Sequence, residues 1–442
     1  MPPCITLLAL SALGAPVQDP KPASQATGQP AGQPASQDDL QKSLADLRAQ
    51  VDAMKADKAA DDARLRDLEA RYQSLLEEIE ARGGGKPAAS APSWTDRLTL
   101  GGYGEIHVNM VNGPPGDQID LARFVLYVGY RFEDWIQLHS EIEIEHALVA
   151  PDSPEGELSM EQLYVDFLTS DAVNFRVGRF LTPVGIINER HEPTSFNGVE
   201  RPEFETFVIP TTWSSDGAGI FGNLNERMKY QLYLCTGLDG SGFDAVEGIR
   251  EGRQEQLAGI QDLAVTGRLD WYPQASSTDL RFGVSFYGGG VNNGPEENNP
   301  DLRANMELYS ADCQYSVGKW DFRGVYGYER INGAQEIGNN VAEAIDGFYV
   351  EAARHILPDS WKSGRFERAD AVAFARYDKV DTQAKMPSGV TADPAGNRDI
   401  YTIGLSFFPT TNLVLKADYQ IADDDTSNGL PERFNLGIGW VF

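Results

Sequence analysis

From Trp94 to Phe442 apolar side chains recur at every second position in segments of about ten residues, the period of strands whose successive side chains point to opposite faces. Between Leu121 and Arg131, Ala122, Phe124, Leu126, Val128 and Tyr130 form one face, and Arg123, Tyr127 and Arg131 the other. The next segment sets Ile136, Leu138, Ile142 and Ile144 against Gln137, His139, Glu141, Glu143 and Glu145. A soluble sandwich with one charged face reads the same way, so the local pattern leaves the fold open.

The connections decide it. Sixteen strands are centred near Tyr103, Leu126, Glu141, Tyr164, Val177, Ile220, Tyr233, Arg268, Val284, Ser310, Gly324, Val350, Phe374, Ile403, Ala417 and Gly437. Even-to-odd connections are tight, as at Phe132-Glu133-Asp134, Ser170-Asp171, Leu224-Asn225-Glu226, Pro273 to Ser277, Gly318 and Pro409-Thr410-Thr411. Odd-to-even connections are mostly long and polar, as at Asp239 to Ala258, Asn293 to Arg303 and Lys379 to Asn397; His355 to Arg365 breaks the rule by being long on the short side. An even strand number with its loops sorted in this way predicts an all-β fold, a sixteen-stranded antiparallel transmembrane β-barrel threaded from one side. Tyr130, Phe132, Trp135, Trp271, Tyr272, Trp320, Phe407 and Phe408 gather beside the short turns as an interfacial girdle would. The last strand, Asn435 to Phe442, alternates and ends on an aromatic, and closure requires it to pair with the first strand near Leu98 to Val108.

The net charge of −29 is carried mostly by this region: 27 of the 37 Lys and Arg and 53 of the 66 Asp and Glu fall from Trp94 onward. Such acidity argues against nucleic acid as a partner. No apolar run reaches the ~18 residues of a spanning helix, which leaves a barrel as the route through a bilayer. Cys4, Cys235 and Cys313 do not form a disulfide framework, and by strand phase Cys235 points inward and Cys313 outward.

Ahead of the barrel, residues 1–15 read as a signal peptide with an apolar core from Ile5 to Leu13, although no basic stretch precedes it. Residues 16–37 are a Pro-, Ala-, Gln- and Ser-rich disordered linker. Residues 38–82 carry a heptad seam, Leu40, Leu44, Leu47, Val51 and Met54, then Leu65, Leu68, Tyr72, Leu75 and Ile79, which predicts an α-helical coiled coil in the periplasm. A solvated amphipathic helix packed on its own barrel is the alternative. Residues 83–93 form a second linker, and the barrel takes residues 94–442.

Between the fifth and sixth strands, about thirty residues lack strand or helix periodicity, yet they are dense in Pro, aromatics and opposed charges, which marks an ordered, functional loop. Arg176-Val177-Gly178-Arg179-Phe180-Leu181-Thr182-Pro183-Val184-Gly185, Asn188-Glu189-Arg190-His191-Glu192-Pro193 and Ile209-Pro210-Thr211-Thr212-Trp213-Ser214-Ser215-Asp216-Gly217 make the chain resemble the phosphate-selective porin O and P family. That resemblance implies a homotrimeric outer-membrane channel whose third extracellular loop folds into the lumen. It places Glu189, Arg190, His191, Glu192, Glu200 and Arg201 at a pore constriction. By strand phase the lumen is lined by Arg123, Arg131, Glu141, Glu143, Glu145, Asp166, Arg176, Arg268, Asp270, Arg281, Arg323 and Lys416. Both signs are present, which suits passive diffusion of small polar solutes or inorganic ions better than a single anion. The alternative function is an anchor in outer-membrane lipid that tethers cell-wall or periplasmic components through the coiled coil.

No catalytic site is expected. None of His107, His139, His146, His191 and His355 lies in a compact motif with Ser or Cys, and no Gly-x-Ser-x-Gly elbow occurs. His139 and His146 fall on opposite faces of one strand, so no metal site and no cofactor are expected.

Overall fold

The computed structural model describes residues 41, 42, 45, 46, 48, 49, 94–113, 116–146, 156–254, 257–274, 277–294, 302–426 and 429–442. The chain divides into two units, Met1–Asp96 and Arg97–Phe442. The six described residues before Trp94 are helical. The expected signal peptide, both linkers and the remainder of the heptad segment lie outside the described residues.

The second unit is built of sixteen strands: β1 Leu98–Val111, β2 Gln118–Glu133, β3 Ile136–Glu145, β4 Glu157–Phe167, β5 Asn174–Leu181, β6 Ser214–Asn225, β7 Met228–Thr236, β8 Leu263–Trp271, β9 Leu280–Gly290, β10 Asn305–Val317, β11 Trp320–Asn332, β12 Ala344–His355, β13 Asp370–Lys385, β14 Asn397–Thr410, β15 Leu413–Asp424 and β16 Arg433–Val441. Each pairs antiparallel with its sequence neighbour, and β1 closes on β16. Tyr103 stands opposite Val441 at the closure. Beyond the ladder, Gly102 N donates to Phe442 O at 3.0 Å and Phe442 N to Gly102 O at 2.8 Å. Closure leaves no free edge, so every strand of the wall can meet its backbone hydrogen-bond demand inside the sheet.

All sixteen predicted centres fall inside observed strands, but several strands run past their expected ends. β13 continues to Lys385, pairing with β12 as far as Ala344 across a bulge, because backbone pairing does not stop where the apolar alternation fades. The girdle needs a correction at two positions. Phe132, Trp135, Trp271 and Trp320 are exposed on the outer wall, whereas Tyr272 is buried and Phe408 packs on the inward residues Ala353, Val372 and Phe374. Each inward aromatic sits one residue from an outward one (Trp271, Phe407), so a single step along the strand decides the face.

The polarity of the wall is inverted relative to a soluble fold. Phe175, Val177, Leu232, Leu234, Val284, Tyr309, Val350, Ile403 and Leu405 are exposed on the outside. Glu105, Glu141, Glu143, Asp166, Arg268, Asp312, Arg376, Asp378 and Asp418 are buried within. An apolar band this continuous is stable only against lipid or another apolar surface.

Candidate functional site: the inward loop and the charged wall

Residues 182–213, which join β5 to β6, fold into the barrel. Their apolar side chains explain why: Val184, Ile186, Ile187, Phe196, Phe204, Val208, Ile209 and Trp213 pack with Tyr233, Tyr287, Val325 and Tyr349 of the wall, and with Leu238, Phe243 and Ile249 of the connection from β7 to β8. Trp213 meets Tyr287 with ring centroids 4.6 Å apart, and Phe180 meets Tyr233 at 4.3 Å. The interior therefore contains a small hydrophobic core beside its charged wall, which strand phase alone does not reveal.

Polar ties then fix the loop around the circumference. On β7, Gln231 Nε2 donates to Glu189 at 2.9 and 3.1 Å. On β8, Arg268 donates to Gly185 O at 2.7 Å, and on β11 Arg323 donates to Ser195 O at 2.9 Å. Asn197 donates to Glu351 of β12 at 2.8 Å, and Arg376 of β13 to Asn197 O at 3.1 Å. Val199 N donates to Asp418 of β15 at 2.6 Å, and Lys416 of the same strand lies 3.7 Å from the centre of the Phe196 ring. Glu200 meets His107 Nδ1 of β1 at 3.1 Å and accepts from Asn109 at 2.9 Å. The loop thus touches opposite sides of the barrel, and the lumen is divided by it.

The six residues assigned to the constriction do not form one cluster. Glu189, His191 and Glu200 are drawn to three different sectors of the wall. Glu192 accepts from Tyr127 of β2 at 3.4 Å, and Arg201 donates to Thr211 Oγ1 at 3.2 Å, so both are spent on holding the loop. Arg190 alone of the six is exposed. Burial opposes ionisation of Glu200, but the hydrogen bond from His107 and its charge hold the carboxyl down to about 2.

Most lumen residues assigned by strand phase are inward and paired. Arg123 reaches Glu105 at 2.9 Å, Glu143 at 3.6 Å and Glu145 at 3.4 Å. Arg176 grips Asp166 at 2.8 and 2.9 Å and lies 3.8 Å from the centre of the Tyr164 ring. Arg268 and Arg281 share Asp270 and Asp312. Arg131 differs: it stands at the rim, its side chain 44% exposed and 3.9 Å from Asp134.

Several residues that fix the loop carry no sequence signature. Glu205, in the single helical turn Phe204–Phe207, is fully buried and accepts from Ile186 N at 3.1 Å and Ile187 N at 2.7 Å. Gly185 opposite has φ +70°, and a Cβ there would stand 2.7 Å from Glu205 Oε2, so glycine is required. Burial pushes the Glu205 carboxyl up to about 7, against the two backbone hydrogen bonds; Asp312 adds to the rise and Arg268 opposes it. A carboxyl whose folded value lies above its unfolded one (about 4.3) stabilises the fold fully at low pH, and that contribution is lost as pH climbs to about 7. The loop is therefore expected to resist protease better at pH 5 than at pH 8, with Glu205→Gln abolishing the difference. Equal protection of the wild type at both values would refute this.

No family model matches the chain. An uncharacterized protein of Aquifex aeolicus (strain VF5) is 33% identical over 375 residues, which cover 80% of this chain and 83% of that protein. Among solved structures, OmpF of Salmonella typhi in complex with daunomycin aligns with a TM-score of 0.52 at 10% identity, over 78% of this chain and 97% of that one. The outer membrane channel DcaP of Acinetobacter baumannii aligns at 0.49 with 13% identity, over 78% and 97% of the two chains. At 10% identity the likeness to OmpF is one of fold: the architecture is that of the outer-membrane porin barrels.

Proposed function

The chain belongs to the same family as the uncharacterized Aquifex aeolicus protein, and from that premise and its porin-type barrel we propose that it is an outer-membrane porin for passive diffusion of small polar solutes or ions. The observation that carries this reading is the tied loop inside an inside-out barrel: lipid-compatible side chains outside, paired charges inside, and a constricting segment held to both sides of the lumen. Purified protein in a planar bilayer is expected to give stable stepwise conductance. Folded protein that repeatedly fails to conduct would overturn the proposal.

Phosphate selectivity, implied by the resemblance to the porin O and P family, finds less support. A site for that anion needs several unmatched basic groups together, and here Arg123, Arg176, Arg268, Arg281 and Arg376 each face at least one carboxylate within 4 Å, while Arg323 is bonded to Ser195 O and Lys416 lies against the Phe196 ring. We read the pore as weakly selective, leaning to cations. Arg190, exposed on the loop, is the basic group best placed to act on passing ions. A unit charge about 8 Å from an ion in water is worth about 0.5 kcal/mol, of opposite sign for a cation and an anion, so Arg190→Ala is expected to raise the cation-to-anion permeability ratio about fivefold at low salt. Arg201→Ala should shift it in the same direction but less, since that guanidinium is bonded within the loop. Zero-current potentials in a KCl gradient test both. Strong anion preference, or block of chloride current by dilute phosphate, would restore the phosphate-selective reading.

A further inference from the structure

Glu141 of β3, Glu161 of β4 and His191 of the inward loop each bring one ligand-competent atom to within 4.8 Å of the others. All three are nearly sealed from solvent, at 1%, 6% and 3% exposure. How Glu161 reaches this point is informative. Along β4, Gln162, Tyr164 and Asp166 share one face, and strict alternation would send Glu161 to the lipid side. The ladder to β3 slips here, with Glu141 opposite Gln162 but Ile142 opposite Met160, so Glu161 is the extra residue of a β-bulge and turns inward beside Gln162. Bulges of this kind re-aim a side chain, and they recur next to functional sites.

The imidazole is oriented as a ligand would be. His191 Nδ1 lies 2.9 Å from the carbonyl oxygen of Asn188, which can only accept, so Nδ1 carries the hydrogen and Nε2 is turned toward the two carboxylates. Asn188 is itself immobilised, donating to Thr182 O at 2.8 Å and Trp213 O at 3.0 Å while accepting from Trp213 N at 2.9 Å. On the other side Gln162 donates to Glu141 Oε2. This is the supporting shell that ligating histidines and carboxylates require.

The atoms facing the centre remain unsatisfied. Glu141 Oε1, both Glu161 carboxylate oxygens and His191 Nε2 are buried without a hydrogen-bond partner among the described residues. Nε2 stands 3.4 Å from Glu141 Oε1 and 3.5 Å from Glu161 Oε2. A protonated imidazole bonded to a carboxylate would close to about 2.8 Å. Two ligands each about 2.1 Å from a tetrahedral ion lie about 3.4 Å apart, which is close to the separation of Nε2 from each carboxylate. The neighbouring Glu143 has Arg123 as its counter-charge, and Arg123 and Arg201 act on Glu161 only from a distance; among the described residues no Lys or Arg comes within 4 Å of Glu141 or Glu161, and a divalent ion between them would supply that charge directly.

We propose that Glu141, Glu161 and His191 form a structural site for a divalent transition-metal ion of the zinc class, which fastens the inward loop to the barrel wall. One imidazole and two carboxylates suit such an ion, with water in a fourth position, whereas calcium and magnesium favour larger all-oxygen shells. The site is independent of conduction, because metal uptake is measured whether or not the protein conducts.

The test uses untagged full-length protein, folded in detergent, stripped with chelator and dialysed against zinc ion alone, with bound metal read by mass spectrometry. About one zinc per chain is expected. His191→Ala and Glu161→Gln are expected to weaken binding about 10- to 100-fold, and the exposed His146→Ala to bind as wild type. Folding of each variant is checked by its heat-modifiable electrophoretic mobility. Should a variant fail to fold, zinc-dependent protection of residues 182–213 from protease in the wild type supports the site. No uptake by the folded wild type, or uptake unchanged in His191→Ala, would overturn it and leave a histidine bridging two carboxylates without metal.

Discussion

Asp312→Ala is expected to lower the unfolding free energy of the barrel by roughly 3–5 kcal/mol, the cost of leaving buried cations without their counter-charge. The Asp312 carboxylate is fully buried and receives Arg268 at 2.8 Å and Arg281 at 2.7 Å. Those arginine side chains are themselves only 2% and 6% exposed, and Asp270 is left to neutralise both at 2.9 Å. Gly283 shows how closely the lattice is built: a Cβ there would stand 2.1 Å from Arg268 Nη2 and 2.5 Å from Asp312 Oδ2. Arg268 also donates to Gly185 O, so the loss passes from the wall to the inward loop. Asp312→Asn keeps the shape and one acceptor and is expected to cost less. Urea unfolding followed by tryptophan fluorescence measures both. A loss under about 1 kcal/mol for Asp312→Ala would mean that water reaches the lattice and screens it, as it does an exposed pair.

Asn188→Ala has the second largest expected effect, about 3 kcal/mol, and it falls on the loop more than on the barrel. The side chain is fully buried and makes three hydrogen bonds, to Thr182 O, Trp213 O and Trp213 N, which close the two ends of residues 182–213 upon each other. Each is worth about 1 kcal/mol net, and its removal strands buried backbone groups that cannot reach water. Thr182 N to Trp213 O at 2.8 Å remains, so the loop base is weakened but not abolished. Bilayer recordings of Asn188→Ala are expected to show larger and noisier conductance steps than wild type. Steps of unchanged size and stability would show that the apolar packing of Trp213, Phe204 and Ile187 holds the loop without this clamp.

How far the sequence reaches is clearest on β3 and β4. Along β3 the alternation of Ile136, Leu138, Ile142 and Ile144 with Gln137, His139, Glu141, Glu143 and Glu145 assigns faces correctly, because side-chain direction in a strand follows from backbone geometry one residue at a time. On β4 the same rule fails at Glu161, since a bulge depends on how two strands match across a curved wall, which neither strand encodes alone. The constriction shows the same limit. Composition marks residues 182–213 as an ordered loop, but the dispersal of Glu189, His191 and Glu200 to separate sectors depends on which inward residues of β7, β3, β4 and β1 the loop passes.

The sequence by itself determined the sixteen strands, their closure through the terminal strand, the sorting of short turns from long loops and nearly every inward or outward assignment, all consequences of a period-two chain. Only the tertiary structure decided what the charges do. An interior rich in both signs reads as a lining in one dimension. Strand register brings Arg268, Arg281, Asp270 and Asp312 of three adjacent strands within bonding distance, and turns lining into lattice. The reason is range: alternation is set within a few residues, whereas ion pairing in a barrel joins groups that meet only after neighbouring strands align and the wall closes.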